Sequence, residues 1–158
     1  MENYIHAVKV SLSILFIIVF SSCKKDPLRI VEEYSFLSIP KNAQVINFID
    51  LENTRGEKVL FIDVKVTKEN IEELTSEISD NKYKLLPIDD EIVTPEQNGA
   101  EIVKYLSKKM QDRFCYVNKY NKRYEGYYKI KKDDSNQNFK IVIIDETDGR
   151  IIVYSLSK

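Results

Sequence analysis

An apolar run from Val10 to Phe20 is the feature that most limits what this chain becomes. It is eleven residues long, VSLSILFIIVF, and Ser21, Ser22, Cys23 and Lys24 end it. At about 1.5 Å of rise per residue, a helix of that length falls far short of the roughly 30 Å hydrocarbon core. A spanning helix needs about twenty apolar residues. A short apolar stretch behind a weakly positive start, with small residues before a cleavage point, is instead the pattern of a secretory signal. Glu2 and Lys9 are its only formally charged side chains, with His6 between them. Residues 1–22 are therefore expected to be removed, leaving 136 of the 158 residues. That length suits one domain with a modest core.

Phe20-Ser21-Ser22-Cys23 resembles the lipobox of bacterial lipoproteins, in which an aliphatic residue, two small residues and an invariant cysteine are read by a lipoprotein signal peptidase. The resemblance covers residues 1–26 and departs from the family at Phe20, where Leu is preferred. It implies that Cys23 takes a diacylglyceryl group on sulfur and becomes the new amino terminus. The chain would then be held at a membrane through acyl chains on Cys23. Each buried methylene contributes about 0.8 kcal/mol, so two or more acyl chains give lasting attachment where one does not. In familiar Gram-negative lipoproteins an Asp after the cysteine resembles an inner-membrane retention signal. Here Lys24 follows, which favours the outer membrane, facing either the periplasm or the cell surface. Lys24-Lys25-Asp26 also resembles a short surface-export signal. The competing reading is an ordinary signal peptide that ends by chance in a cysteine. Further on, Ile39-Pro40-Lys41-Asn42-Ala43 resembles the entry to a strand in small uncharacterised envelope lipoproteins and brings no function with it.

Removing the first segment also removes His6, the only histidine. Serine–histidine and cysteine–histidine catalysis and histidine-based zinc sites then have no base or ligand. Acylation of Cys23 leaves Cys115 as the one remaining thiol, in the apolar run Phe114-Cys115-Tyr116-Val117. A buried small hydrophobe is the expected role there. No cofactor and no metal are expected. The formal charge is −1 and stays there, because Glu2 and Lys9 leave together. A chain so balanced and exported shows no footprint for nucleic acid.

The mature chain is expected to be an acylated tether over residues 23–29 and a single α+β domain over 30–158. Ile30–Tyr34 reads as a single helical turn or as the start of packing, and Pro40 marks a turn. Gln44–Leu51 and Lys58–Val66 read as strands. In the second, Leu60, Ile62, Val64 and Val66 share one face while Val59 and Phe61 take the other, so it is expected to be covered on both sides. Thr67 caps a helix over Lys68–Asp80 whose stripe is Ile71, Leu74 and Ile78, and Glu69 suits its positive first turn. Thr94-Pro95-Glu96-Gln97 opens a second helix, reaching about Asp112, with Ile102, Leu106 and Met110 on one side. Strands follow at Phe114–Lys119, Arg123–Lys131, Phe139–Asp145 and Ile151–Leu156. Lys131–Asn138 reads as a polar connection, and Asp148-Gly149 as a two-residue type I′ hairpin turn. The grouping predicts an antiparallel sheet packed against two amphipathic helices.

Three clusters are candidates for chemistry. Asp89, Asp90 and Glu91 form an acidic loop, but without the spacing and turn glycine of a calcium loop, so a solvated loop is expected. Asp145, Glu146 and Asp148 are the nearest approach to the paired carboxylates of glycoside hydrolysis, yet turn geometry already explains them. Tyr116, Tyr120, Tyr124, Tyr127 and Tyr128 alternate with Lys119, Lys122, Arg123 and Lys129. Rings with basic neighbours suit a binding surface, although tyrosine is also simply a good strand residue. The binding-surface candidates are Tyr120, Tyr127, Lys119 and Arg123, with Tyr127 expected to face outward. The expected function is a non-enzymatic envelope domain that binds a protein or another envelope component. Two alternatives are a carboxylate-dependent hydrolase of envelope glycans and an inhibitor or immunity-type lipoprotein.

Overall fold

A computed structural model describes residues 26–88, 120, 125–133 and 138–157. Cys23, Cys115, the 89–91 loop, the helix expected over 95–112 and the strand expected over 114–119 lie outside them. The described residues form a six-stranded sheet: β1 (Gln44–Glu52), β2 (Lys58–Lys65), β3 (Lys84–Leu85), β4 (Gly126–Lys132), β5 (Phe139–Asp145) and β6 (Arg150–Ser157). Its spatial order is β1-β2-β6-β5-β4-β3. Every neighbouring pair is antiparallel. The fold is thus mixed α and β, dominated by one antiparallel sheet with a few short helices. Among the described residues no helix is long and apolar enough to cross a membrane.

Period-two alternation places one apolar set on each face of the sheet. Leu60, Ile62, Val64, Val142, Ile144, Ile151 and Val153 face the helices. Val59, Phe61, Phe139, Ile141, Ile143, Ile152, Tyr154 and Leu156 form a second cluster on the far face. Phe139 and Tyr154 meet there edge to face, with centroids 5.0 Å apart. β2 is buried on both faces, as its sequence predicts. β3 is too short to leave a periodic signal and emerges only through its pairing with β4.

The first helix, α1 (Pro27–Ser35), is longer than the single turn expected. Asp26 accepts the Leu28 N–H at 3.0 Å, and Pro27 supplies a pre-set φ in the first turn. Leu28 packs on the helix-side cluster, so Pro27–Arg29, read from sequence as tether, belong to the folded domain. Val31 and Ser35 are buried, and Phe36 ends the helix in the left-handed region at φ 59°.

The helix expected over 68–80 is two: α2 (Lys68–Glu73) and α3 (Thr75–Asp80). Thr67 and Asn70 form a reciprocal capping box, and Ile71, Leu74 and Ile78 are buried as expected. The break falls at Leu74, whose N–H bonds Ile71 O at 3.0 Å in a tightened turn. Thr75 Oγ1 donates back to Glu72 O at 2.7 Å, competing with the helical ladder.

The β5–β6 connection also differs in detail. Asp145 pairs with Arg150, so four residues, 146–149, make the turn rather than two. Only Gly149, at φ +62°, enters the left-handed region; Asp148 does not. The Asp145 side chain accepts the Asp148 N–H at 2.9 Å and shapes the turn instead. Gly149 is required twice over. A Cβ there would lie 2.5 Å from Val66 O, where the Val66 N–H bonds Gly149 O at 2.9 Å.

Candidate functional site

Alternation along β4 sends Tyr127, Lys129 and Lys131 to the helix side of the sheet, and along β5 it sends Lys140 and Val142 to that side. The register sets Lys131 directly opposite Lys140 and Lys129 opposite Val142. Three ammonium groups therefore share one corner of one face. The C-terminal end of α1 crosses this corner and adds Glu33, Tyr34 and Phe36. With Lys129, Lys131, Lys140 and Val142 these three line an open groove of about 340 Å³. Lys140 Nζ lies 4.3 Å from the Tyr34 ring centroid. Lys129 Nζ lies 5.0 Å from that of Phe36 and 5.5 Å from that of Tyr83. These distances are within cation–π range. A second groove, of about 280 Å³, opens beside the first and shares Lys131 and Lys140 with it.

Tyr83 supports the floor. Its hydroxyl donates to Ser35 O at 2.9 Å, which ties the end of α1 to the segment before β3. Burial pushes its phenol pKa up, so it remains a neutral donor. Phe36, by contrast, is 65% exposed. A large aromatic left in water, in a conformation that costs a non-glycine residue, forms one wall of the groove.

The far face carries two buried carboxylates, both committed to structure. Asp63 receives a two-pronged bond from Arg150, Nε to Oδ1 at 2.7 Å and Nη2 to Oδ2. Asn47 Nδ2 reaches the same Oδ2 at 3.4 Å. Asp145 accepts the Tyr120 hydroxyl at 2.7 Å and the Asp148 N–H. Among the described residues no group of three histidines, cysteines or carboxylates converges as a metal site would.

The residues singled out from sequence separate accordingly. Tyr120 is fully buried on the far face, so it does not belong to an exposed surface. Its neighbours in sequence gave it a basic, polar look, but its ring fills the core while its hydroxyl meets Asp145. Tyr127 is half-buried and packs against the helix-side cluster, which corrects the outward orientation expected of it. Lys119 and Arg123 lie outside the described residues, as does Cys23. Asp145 is buried, Glu146 half-buried and Asp148 exposed, with the turn as their shared role. Sequence reasoning missed Lys131, Lys140, Tyr34 and Phe36. The first two were legible only through the β4–β5 register, since Lys131 reads as the start of a polar connection.

Compared with known proteins, the chain matches no protein-family model, no curated protein and no solved structure.

Proposed function

We propose that the chain is a lipid-anchored envelope lipoprotein, held at the outer membrane through acyl chains on Cys23, whose domain works by binding rather than by turnover. The observation that carries the binding half is the groove between α1 and the β4–β5 hairpin, where Lys129, Lys131 and Lys140 stand among Tyr34 and Phe36. Cations beside aromatic rings in an open groove are suited to recognition. The buried carboxylates favour the same reading, because Asp63 and Asp145 each hold the fold together. In this reading the antiparallel sheet is packed against two amphipathic helices, the second being the one expected over about 95–112.

A photo-crosslinker at Phe36 in intact envelopes tests the proposal. The expected result is a reproducible adduct with one envelope component, lost when the three lysines become glutamine. Hydrolysis of an envelope glycan by the purified protein, abolished by one carboxylate substitution, would replace it with the hydrolase reading.

A further inference from the structure

Three local departures from ordinary protein chemistry meet at the groove. The first is Lys131 facing Lys140 across the β4–β5 ladder, where like charges directly opposite one another destabilise the pair. Lys129 stands two residues along on the same face, and among the described residues none of the three lies within ion-pair distance of a carboxylate. Glu33 is the one acidic side chain of the lining. The second is Phe36, 65% exposed beside those cations. The third is its left-handed backbone, which turns the ring out at the end of α1. Clustered like charges beside an exposed aromatic ring are expected where something outside the fold completes the site.

We infer that this face docks on the membrane that anchors the chain, with the lysines on anionic lipid headgroups and Phe36 in the interfacial layer. The inference rests on the anchor at Cys23 and names the component the groove binds. Three residues, Lys24, Lys25 and Asp26, separate Cys23 from Pro27, and the four steps reach at most about 14 Å. That reach is no larger than the radius of gyration of a domain of this size, about 14 Å, so the tether keeps the domain close to the bilayer. The anchor hangs from α1, so the α1 end of the domain is held nearest the lipid. The α1 face also carries three lysines with no carboxylate in ion-pair distance among the described residues, and an outstanding aromatic ring. Headgroup phosphates supply the missing negative charge, and the ring reaches the layer where aromatic side chains settle.

The chain contains no tryptophan, so Phe36→Trp makes a single reporter. The acylated protein carrying it is reconstituted into vesicles of brominated phosphatidylethanolamine, with or without phosphatidylglycerol. On anionic vesicles the emission is expected to shift to the blue and be quenched by bromine. One-molar salt, with a Debye length of about 3 Å, should reverse both effects. Each Lys→Gln change at 129, 131 or 140 should lower the docked fraction relative to the free by about fivefold. Lys→Arg changes should preserve docking, and thermal melts confirm that each variant is folded. Equal quenching on neutral and anionic vesicles would overturn the inference. So would a water-exposed tryptophan on both, or shielding by a soluble acidic polysaccharide in place of lipid. The acyl mass on Cys23, taken from the same sample, separates two failures. An unacylated chain refutes the anchor, whereas an acylated chain with an exposed tryptophan refutes the docking alone.

Discussion

Replacing Arg150 by Ala should destabilise the domain far more than replacing its partner Asp63. The pair joins β2 to β6 through a two-pronged bond, and its members differ in burial: 3% of the Asp63 side chain is exposed against 21% for Arg150. Without Arg150 the Asp63 carboxylate stays inside the fold, with Asn47 Nδ2 at 3.4 Å. Leaving a buried charge without its partner costs about 3–5 kcal/mol. Without Asp63 the guanidinium can turn toward water, and the loss is closer to that of a charged hydrogen bond, about 1.5–3 kcal/mol. Replacing both, Asp63→Leu with Arg150→Met, removes the desolvation penalty along with the attraction and should recover most of the loss. Equilibrium urea unfolding followed by circular dichroism reads all three. With a slope of about 2 kcal/mol per molar, Arg150→Ala should lower the midpoint by about 2 M. A cost below about 1 kcal/mol for Arg150→Ala would refute the reasoning. So would a larger cost for Asp63→Ala, or a double variant no better than the worse single one.

Gly149→Ala should cost about 2–4 kcal/mol, from the left-handed backbone together with a Cβ pressed on Val66 O, whereas Gly56→Ala, with open space around it, should cost about 1–2. Urea midpoints compare the two, and equal costs would contradict the close approach at Gly149. Thr67→Ala removes half of the capping box and should cost about 1 kcal/mol. Glu69 lies below the usual glutamate range because of its backbone hydrogen bond and, next, the Thr67 hydroxyl. Its stabilising contribution is therefore complete above the ordinary glutamate pKa and fades as pH falls through the lowered value. NMR titration of the Thr67→Ala variant should show Glu69 moving back up. Tyr120→Phe removes the Tyr120 hydroxyl bond to the buried Asp145 and should cost about 1.5–3 kcal/mol in the same unfolding assay.

Much of the sheet was legible because its signals are local. Phe139–Asp145 is a short β-branched apolar run between polar flanks, and its bounds in the structure are those the sequence predicts. Thr67 and the Ile71, Leu74, Ile78 stripe were readable for the same reason, since capping and helical spacing need no knowledge of the rest of the fold. The break at Leu74 was not, because it depends on Thr75 bonding back to Glu72 O. Nor was the four-residue turn, since Asp-Gly fits a two-residue hairpin equally well until the Asp145 side chain claims the Asp148 N–H. The groove was the least legible part. Tyrosine–lysine alternation singled out Lys129, which lines the groove, but also Tyr120, which is buried on the far face, and Tyr127, which packs half-buried on the helix-side cluster. What defines the corner is the facing of Lys131 and Lys140 and the crossing of α1 above them. Both are long-range facts that one strand's pattern does not contain.

The most direct test of the anchored reading is the intact mass of the protein extracted from envelopes of its host. The account predicts a chain that starts at Cys23 and carries a diacylglyceryl group, with the Cys23→Ser variant unacylated. A mature chain that begins elsewhere, or a Cys23 recovered as a free thiol, would contradict it.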